Sequence, residues 1–288
     1  MSLSLNELKS RFGKIRLIVS DIDGTLVTGQ NQLSGLVKKQ VEELHKKGIH
    51  FSLASQRVHS SIVPLANELG IKIPFISLNG ALIQDAGGNN RLNKSVIDRK
   101  YVERALRLAE EKYVKIALCY DDQIVYTEDN SVIRDFMTRL GTTYTLVNSY
   151  DGYLDNVLEI IMLGNDKNVI KQIQGKMTPP FGLYLKVKYF RSQAFQNVFN
   201  LEIIRKKVNK KVGLKMLAAH LGVRREEVMV FGDWYNDRDL FMFGGTNIAL
   251  NNAVDELKDM ADYVTDQSND EDGVGKFLEM FNKSLKVK

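Results

Sequence analysis

The sequence predicts an α/β protein: a doubly wound, Rossmann-like parallel sheet interrupted by an inserted α/β module. Three observations carry this expectation. Short continuous apolar runs alternate with amphipathic stretches at both ends of the chain, the pattern of buried parallel strands joined by crossover helices. Through the middle of the chain the strands instead alternate apolar and polar residues, as in a sheet covered on one side only. Acidic and polar residues directly follow several of the apolar runs, where open parallel sheets gather ligands.

Ile15–Ser20, rich in branched residues, reads as the first buried strand. Ser34 then caps a helix carrying Val37, Val41 and Leu44 on one face, and Gly48 supplies its left-handed stop. Residues 49–54 read as a second strand, Ile62, Leu65, Ala66 and Leu69 as a helix, and residues 71–78 as a third strand. Right-handed crossovers make these strands parallel.

From about Ile83 to Phe199 the pattern changes. Asp85 to Asn90 is rich in turn formers, and Asp98 opens a helix with Val102, Ala105, Leu106 and Ala109 on its face. Val114, Ile116, Leu118 and Tyr120 alternate like a half-covered strand. A helix around Ile133, Phe136, Met137 and Leu140 follows, then a strand over 157–163, a helix through Val169, Ile170 and Ile173, and a second alternating strand through Leu183, Leu185, Val187 and Tyr189. The expected division is therefore a core of residues 1–83 and 200–288 and an insert of residues 84–199. In the returning core, Asn209 caps a helix with Leu214, Leu217, Ala218 and Leu221. Residues 228–231 and 246–250 read as strands, and Val274, Phe277, Leu278 and Phe281 mark a last helix.

Composition excludes several classes. Cys119 is the single cysteine, so neither an intrachain disulfide nor a Cys-rich zinc site can form. No apolar run approaches the roughly 20 residues of a membrane span, and residues 1–14 lack the apolar core of a signal peptide. A cytoplasmic location without membrane partners is the expectation. The net charge of +5 is densest at Arg205, Lys206, Lys207, Lys210, Lys211 and Lys215, a solvated rim or a funnel for an anionic substrate. No nucleic-acid-binding motif accompanies it, so nucleic acid is not an expected partner. His45, His50, His59 and His220 show no metal-ligand spacing.

Asp21 and Asp23 follow the first strand, Ser55 the second, Asn79 the third, and Asp233, Asn236 and Asp237 the strand at 228–231; Lys210 opens the helix before that strand. Each alone has an ordinary explanation: a turn, a helix cap or a solvated lysine. The segment Asp21-Ile-Asp-Gly-Thr25 is no calcium loop, because alternating oxygen ligands and a closing Glu are missing. At neighbouring strand ends the acids would repel unless a hard divalent cation joined them, and Mg2+ suits oxygen ligands beside a phosphate. Cation and Lys210 would neutralise phosphoryl oxygens, leaving one carboxylate to attack phosphorus and form an aspartyl-phosphate. A second acid would serve as proton carrier, and Ser55 as a hydrogen-bond donor to the transferred group.

These motifs resemble the haloacid dehalogenase-like superfamily, in particular its Cof-type hydrolases with an α/β cap. The matching segments are Asp21-Ile-Asp-Gly-Thr-Leu26, Ala54-Ser-Gln-Arg57, Asn79-Gly-Ala81, Lys210, Gly232-Asp-Trp-Tyr-Asn-Asp237 and Asn269-Asp-Glu-Asp-Gly273. The resemblance implies Asp21 as nucleophile and Asp23 as general acid/base. It implies that Asp21, the Asp23 backbone carbonyl and Asp233 ligate Mg2+, that Ser55 and Lys210 hold the phosphoryl group with help from Asn236, and that Asp237 orients Lys210 or a metal-bound water. Asn79 and Arg57 are further candidates on the substrate side, with Tyr184, Lys186 and Arg191 from the insert. Four departures stand out: Ser55 for Thr, Gln56 for Gly, Arg205-Lys-Lys207 for a Pro-x-Gly turn, and bulky Trp234 and Tyr235. The expected function is Mg2+-dependent hydrolysis of a small phosphorylated metabolite, a sugar phosphate or similar. Phosphoryl transfer to another acceptor uses the same nucleophile, and a non-catalytic phosphometabolite-binding regulator is the alternative from another class. No oligomeric state is assigned.

Overall fold

The computed structural model describes residues 4–128, 142, 144–191 and 198–286; the helix expected around Ile133 to Leu140 lies outside them. Two compact units result, one of Met1–Gln56, Val63–Leu92 and Asn209–Lys288, the other of Arg57–Ile62 and Asn93–Val208. Relative to the boundaries drawn from sequence, residues 84–92 pack with the first unit, and residues 57–62 and 200–208 with the second. The reason is pairing: β4 (Leu82–Gln84) folds back on β3 (Phe75–Ser77), and Phe199–Arg205 pairs with strands on both of its sides.

In the first unit, β1 (Leu17–Ser20) lies between β2 (His50–Leu53) and β12 (Val228–Gly232), with β13 (Thr246–Ala249) and β14 (Tyr263–Val264) beyond β12, all parallel. β3 extends the sheet past β2 through a parallel bridge between Ala54 and Ile76. Leu17, Val19, Val228 and Val230 pack on one face with Leu214 and Leu217 of α6 (Lys210–His220) and Leu240 of α7 (Arg238–Phe241). On the other face Phe231 meets Phe277 of α9 (Gly273–Ser284) edge-on, ring centroids 5.5 Å apart, and α9 packs on α1 (Leu5–Phe12) and α2 (Gly35–Lys46). Covering both faces is what the continuous apolar strands require. Ser34 caps α2 by accepting from Val37 N at 2.9 Å, and Gly48 leaves it at φ 73°. The strand expected over 71–78 shortens to three residues, because Pro74 has no N–H to pair and the backbone turns left-handed from Leu78.

The second unit holds a sheet ordered β10 (Leu185–Arg191), β11 (Phe199–Arg205), β9 (Glu159–Gly164), β6 (Lys115–Cys119), β7 (Ile124–Tyr126), β8 (Tyr144–Leu146), antiparallel except for β7 and β8. Leu118, Ile160, Met162, Leu201 and Ile203 pack one face against Val102 and Ala105 of α4 (Arg99–Glu111) and Ile170 and Ile173 of α5 (Lys167–Met177). Asp98 precedes α4 but makes no cap bond; its carboxylate accepts from Arg205 at 2.7 Å instead. Among the described residues, the chain also holds α3 (His59–Glu68), β5 (Arg91–Lys94) and α8 (Asp255–Met260), the last in the first unit. Among the described residues no helix is long and apolar enough to cross a membrane.

Candidate active site

Because β1, β2 and β12 run parallel, their carboxyl ends share one edge, and the ladder extends past each strand. Asp21 N donates to Phe231 O at 3.1 Å and Ala54 N to Ser20 O at 2.9 Å. Ser55 N reaches Ile76 O at 2.9 Å, and Asn79 N reaches Ser55 O at 3.0 Å. These bonds fix Asp21, Ser55 and Asn79 at adjoining strand ends, and the parallel pairing of Ser20 with Phe231 sets Asp233 just past the end of β12 beside them. Lys210 arrives from behind as the first residue of α6, whose cap Asn209 accepts from Val212 N at 2.8 Å. Leu78, Asn79 and Gly80 turn left-handed in succession. A Cβ on Gly80, at φ 102°, would come within 2.7 Å of Asn209 O. Only glycine permits that approach, which sets the start of α6 against the third strand end.

Lys210 is a fully buried lysine held by two carboxylates: its ammonium donates to Asp21 Oδ1 and, at 2.7 Å, to Asp237 Oδ1. Asp237 Oδ2 accepts from the backbone N–H groups of Asp233 and Trp234 at 3.1 and 3.2 Å, so both of its oxygens are engaged. Thr25 donates its hydroxyl to Asp233 Oδ1 at 2.5 Å. Carboxylate oxygens of Asp21, Asp233 and Asp237 all lie within 4.8 Å of one another, on residues that are at most 6% exposed. Gly24, at φ 78°, passes so close to Asp233 that a Cβ would stand 3.0 Å from its carboxyl carbon.

Three buried acids against one ammonium leave an excess of negative charge. A like-charged pair at this separation costs roughly 3–4 kcal/mol at an effective dielectric near 20. Burial, then the charge of Asp237, pushes the Asp21 carboxyl well above its ordinary range, although Lys210 pulls the other way. Burial also lifts Asp233 to about 7 against the lowering hydrogen bond from Thr25. For Lys210 burial opposes the charge, but Asp21 and Asp237 outweigh it and hold the ammonium above its ordinary pKa. An oxygen-only donor set with surplus negative charge fits a hard divalent cation.

The remaining sequence candidates divide. Ser55 and Asn79 are buried in the first unit, Asn236 is half-buried beside Asp237, and Asp23 is exposed two residues past Asp21. Asp23's carboxylate is not one of the three clustered acids; Asp237 occupies that place. Arg57 is buried in the second unit, which also holds exposed Tyr184 and Arg191 and half-buried Lys186. Gln56 is exposed, and Trp234 and Tyr235 pack edge-on to each other, ring centroids 5.1 Å apart, rather than inside the cluster. Sequence reasoning gave Thr25 no role of its own and passed over Asn252, whose amide donates to Gly24 O at 2.8 Å. Neither contact has a local signal, since each joins segments more than two hundred residues apart.

Comparison with known proteins identifies the family and the fold. A family model described as haloacid dehalogenase-like hydrolase matches residues 18–278. The 5-amino-6-(5-phospho-D-ribitylamino)uracil phosphatase of Bacillus subtilis is 26% identical over 277 residues, covering 92% of this chain and 97% of that protein. The crystal structure of a haloacid dehalogenase-like hydrolase from Bacteroides thetaiotaomicron superposes with a TM-score of 0.81 at 27% identity, covering 92% of this chain and 98% of that one. A Thermotoga maritima structure shares the fold with a TM-score of 0.77 at 24% identity, over 92% and 97% of the two chains.

Proposed function

Since the chain belongs to the haloacid dehalogenase-like hydrolase family and is an enzyme of its phosphatase class, we propose that it hydrolyses a small phosphate monoester with Mg2+, through an aspartyl-phosphate on Asp21. The observation that carries this reading is the buried cluster of Asp21, Asp233 and Asp237 around Lys210 at the carboxyl edge of the parallel sheet.

Asp21 and Asp233, with the Asp23 backbone carbonyl, would hold the cation, which supplies positive charge to the phosphoryl oxygens when bound. Asp237 is the acid whose oxygens are already taken, by Lys210 and by two backbone N–H groups, which suits it to orienting Lys210. Lys210, charged and buried, offers its ammonium to the transferred group, and the Ser55 hydroxyl donates beside it. An oxygen of Asp21 attacks phosphorus while the ester P–O bond breaks, and Asp23 gives its proton to the departing oxygen. Water then attacks the phosphorus of the aspartyl-phosphate and yields a proton to Asp23, while the bond between phosphorus and the Asp21 oxygen breaks. Inorganic phosphate departs and both acids return to their starting state. The exposure of Asp23 suits a group that must meet both a leaving alcohol and a water. The substrate is read as a sugar phosphate or a similar small metabolite, and the second unit as its specificity-determining cap.

Asp21→Asn removes the nucleophile while keeping its shape. The expected result is loss of Mg2+-dependent phosphate release, with the wild-type fold retained by circular dichroism. Unchanged turnover in the purified variant would refute the assignment.

A further inference from the structure

The tail motif Asn269-Asp-Glu-Asp-Gly273 and the loop after β13 take no part in the chemistry above, yet both touch the segment that carries Asp23. We propose that Asn252, Asn269 and Asp270 form a clamp that positions this segment for proton transfer, an inference that rests on Asp23 being the proton carrier.

The segment closes on itself first. Ile22 O accepts from Leu26 N at 2.9 Å and Val27 N at 3.2 Å, and Asp23 bridges to Val27, so Asp23 sits inside a tight turn. The turn is then held from outside at three points. Asn252 Nδ2 donates to Gly24 O at 2.8 Å, Asn269 Nδ2 to Val27 O at 2.9 Å, and Gly29 N to Asp270 Oδ1 at 2.7 Å. The clamp is continuous, because Asn269 N donates to Asn252 Oδ1 at 3.0 Å. It is also tied to the buried acids: two residues beyond Asn252, Val254 N donates to Asp233 O at 2.9 Å. One short loop therefore grips the backbone beside Asp23 and the backbone of Asp233 together. Asp272, left-handed at φ 65°, and Gly273, where a Cβ would run into Gln267 O, give the tail the tight turn that presents Asn269 and Asp270.

The Asn252–Gly24 and Gly29–Asp270 bonds are solvent-exposed and add little to stability. Their value lies in placement, since a misplacement of about 1 Å at a reacting group can cost a hundredfold in rate. A positioning role for a proton donor has a signature that a general structural role lacks. The loss grows as the leaving group becomes more basic, because a poor leaving group depends on protonation and a good one does not.

The test compares kcat/KM for phenyl phosphate and 4-nitrophenyl phosphate, substrates of similar shape with leaving groups of different basicity. In Asn252→Ala, Asn269→Ala and Asp270→Ala, phenyl phosphate turnover should fall about ten- to a hundredfold and 4-nitrophenyl phosphate turnover by about threefold or less. Asp23→Asn should show the same pattern more strongly. Asp270→Asn keeps an oxygen for Gly29 N and should stay near wild type. The ratio of the two substrates is independent of the fraction of folded enzyme, so a partly unfolded variant still reports. Equal losses on both substrates, or no loss on either, would overturn the clamp. Wild-type protein inactive on both with Mg2+ present would instead overturn the phosphatase mechanism on which it rests.

Discussion

Asp233→Asn should make the metal-free protein more stable while ending its metal-dependent activity. In the absence of a cation Asp233 is a buried acid whose pKa is lifted from an ordinary 3.8 to about 7. A raised acid stabilises the fold in its neutral form. That contribution is complete below pH 3.8 and is lost as pH rises through about 7. Each pKa unit corresponds to about 1.4 kcal/mol, so keeping Asp233 ionised at pH 8 costs the metal-free fold up to ~4 kcal/mol. Asparagine keeps an Oδ1 to accept from Thr25 and carries no charge, so the variant should regain about 2–4 kcal/mol at pH 8. The assay is urea unfolding of both proteins with a chelator at pH 8 and pH 5.5. The gap should be largest at pH 8 and shrink towards pH 5.5. With excess Mg2+ the order should reverse, because only the wild type gains binding energy. A variant no more stable than wild type at pH 8 without metal, or a gap independent of pH, would refute the view of this cluster as an unneutralised cation site.

If Asp21 and Asp233 hold the cation as proposed, protons compete with it, so apparent Mg2+ affinity by calorimetry should weaken as pH falls through about 7, by roughly tenfold per unit for one displaced proton. Lys210→Met leaves Asp21 and Asp237 buried without their ammonium, which should cost about 3–5 kcal/mol in chemical denaturation. The same variant should lose about 10²–10³ in kcat for phosphate release. Gly24→Ala puts a side chain at φ 78° and against the Asp233 carboxylate; thermal unfolding should show a loss of about 1–3 kcal/mol, and phosphate release should fall further than stability alone explains.

Much of the fold was legible because its strongest signals are local. Continuous apolar runs such as Leu17–Ser20 and Val228–Gly232 are buried at every position, and Ser34 and Asn209 cap their helices through bonds to residues three ahead. Strand ends then placed Asp21, Ser55 and Asp233 on one edge. What stayed hidden depends on distant partners. β11, reading Phe-Asn-Leu-Glu-Ile-Ile-Arg, runs into a basic stretch and became visible as a strand only through pairing with β9 and β10. The motif resemblance already tied Asp237 to Lys210, but that this pairing brings Asp237 rather than Asp23 in among the clustered acids depends on contacts between distant segments. Asn252 is silent for the same reason, since its partner Gly24 is 228 residues away.

The position of β1 inside the sheet has a consequence for how the chain is made. Leu17 pairs with His50 on one side and with Val228 on the other, so the strand that leads into Asp21 gains its second neighbour only after some two hundred further residues are synthesised. At roughly 5–20 residues per second that interval lasts on the order of 10–40 s. Throughout it one edge of β1 is unpaired, and Asp233 and Asp237, which follow β12, are not yet made. The second unit, mostly one continuous stretch, has all its strands in hand before then. The nascent chain therefore carries the described strands of the second unit while the parallel sheet of the first still lacks β12, β13 and β14, an interval in which the unpaired edge of β1 is open to wrong pairing.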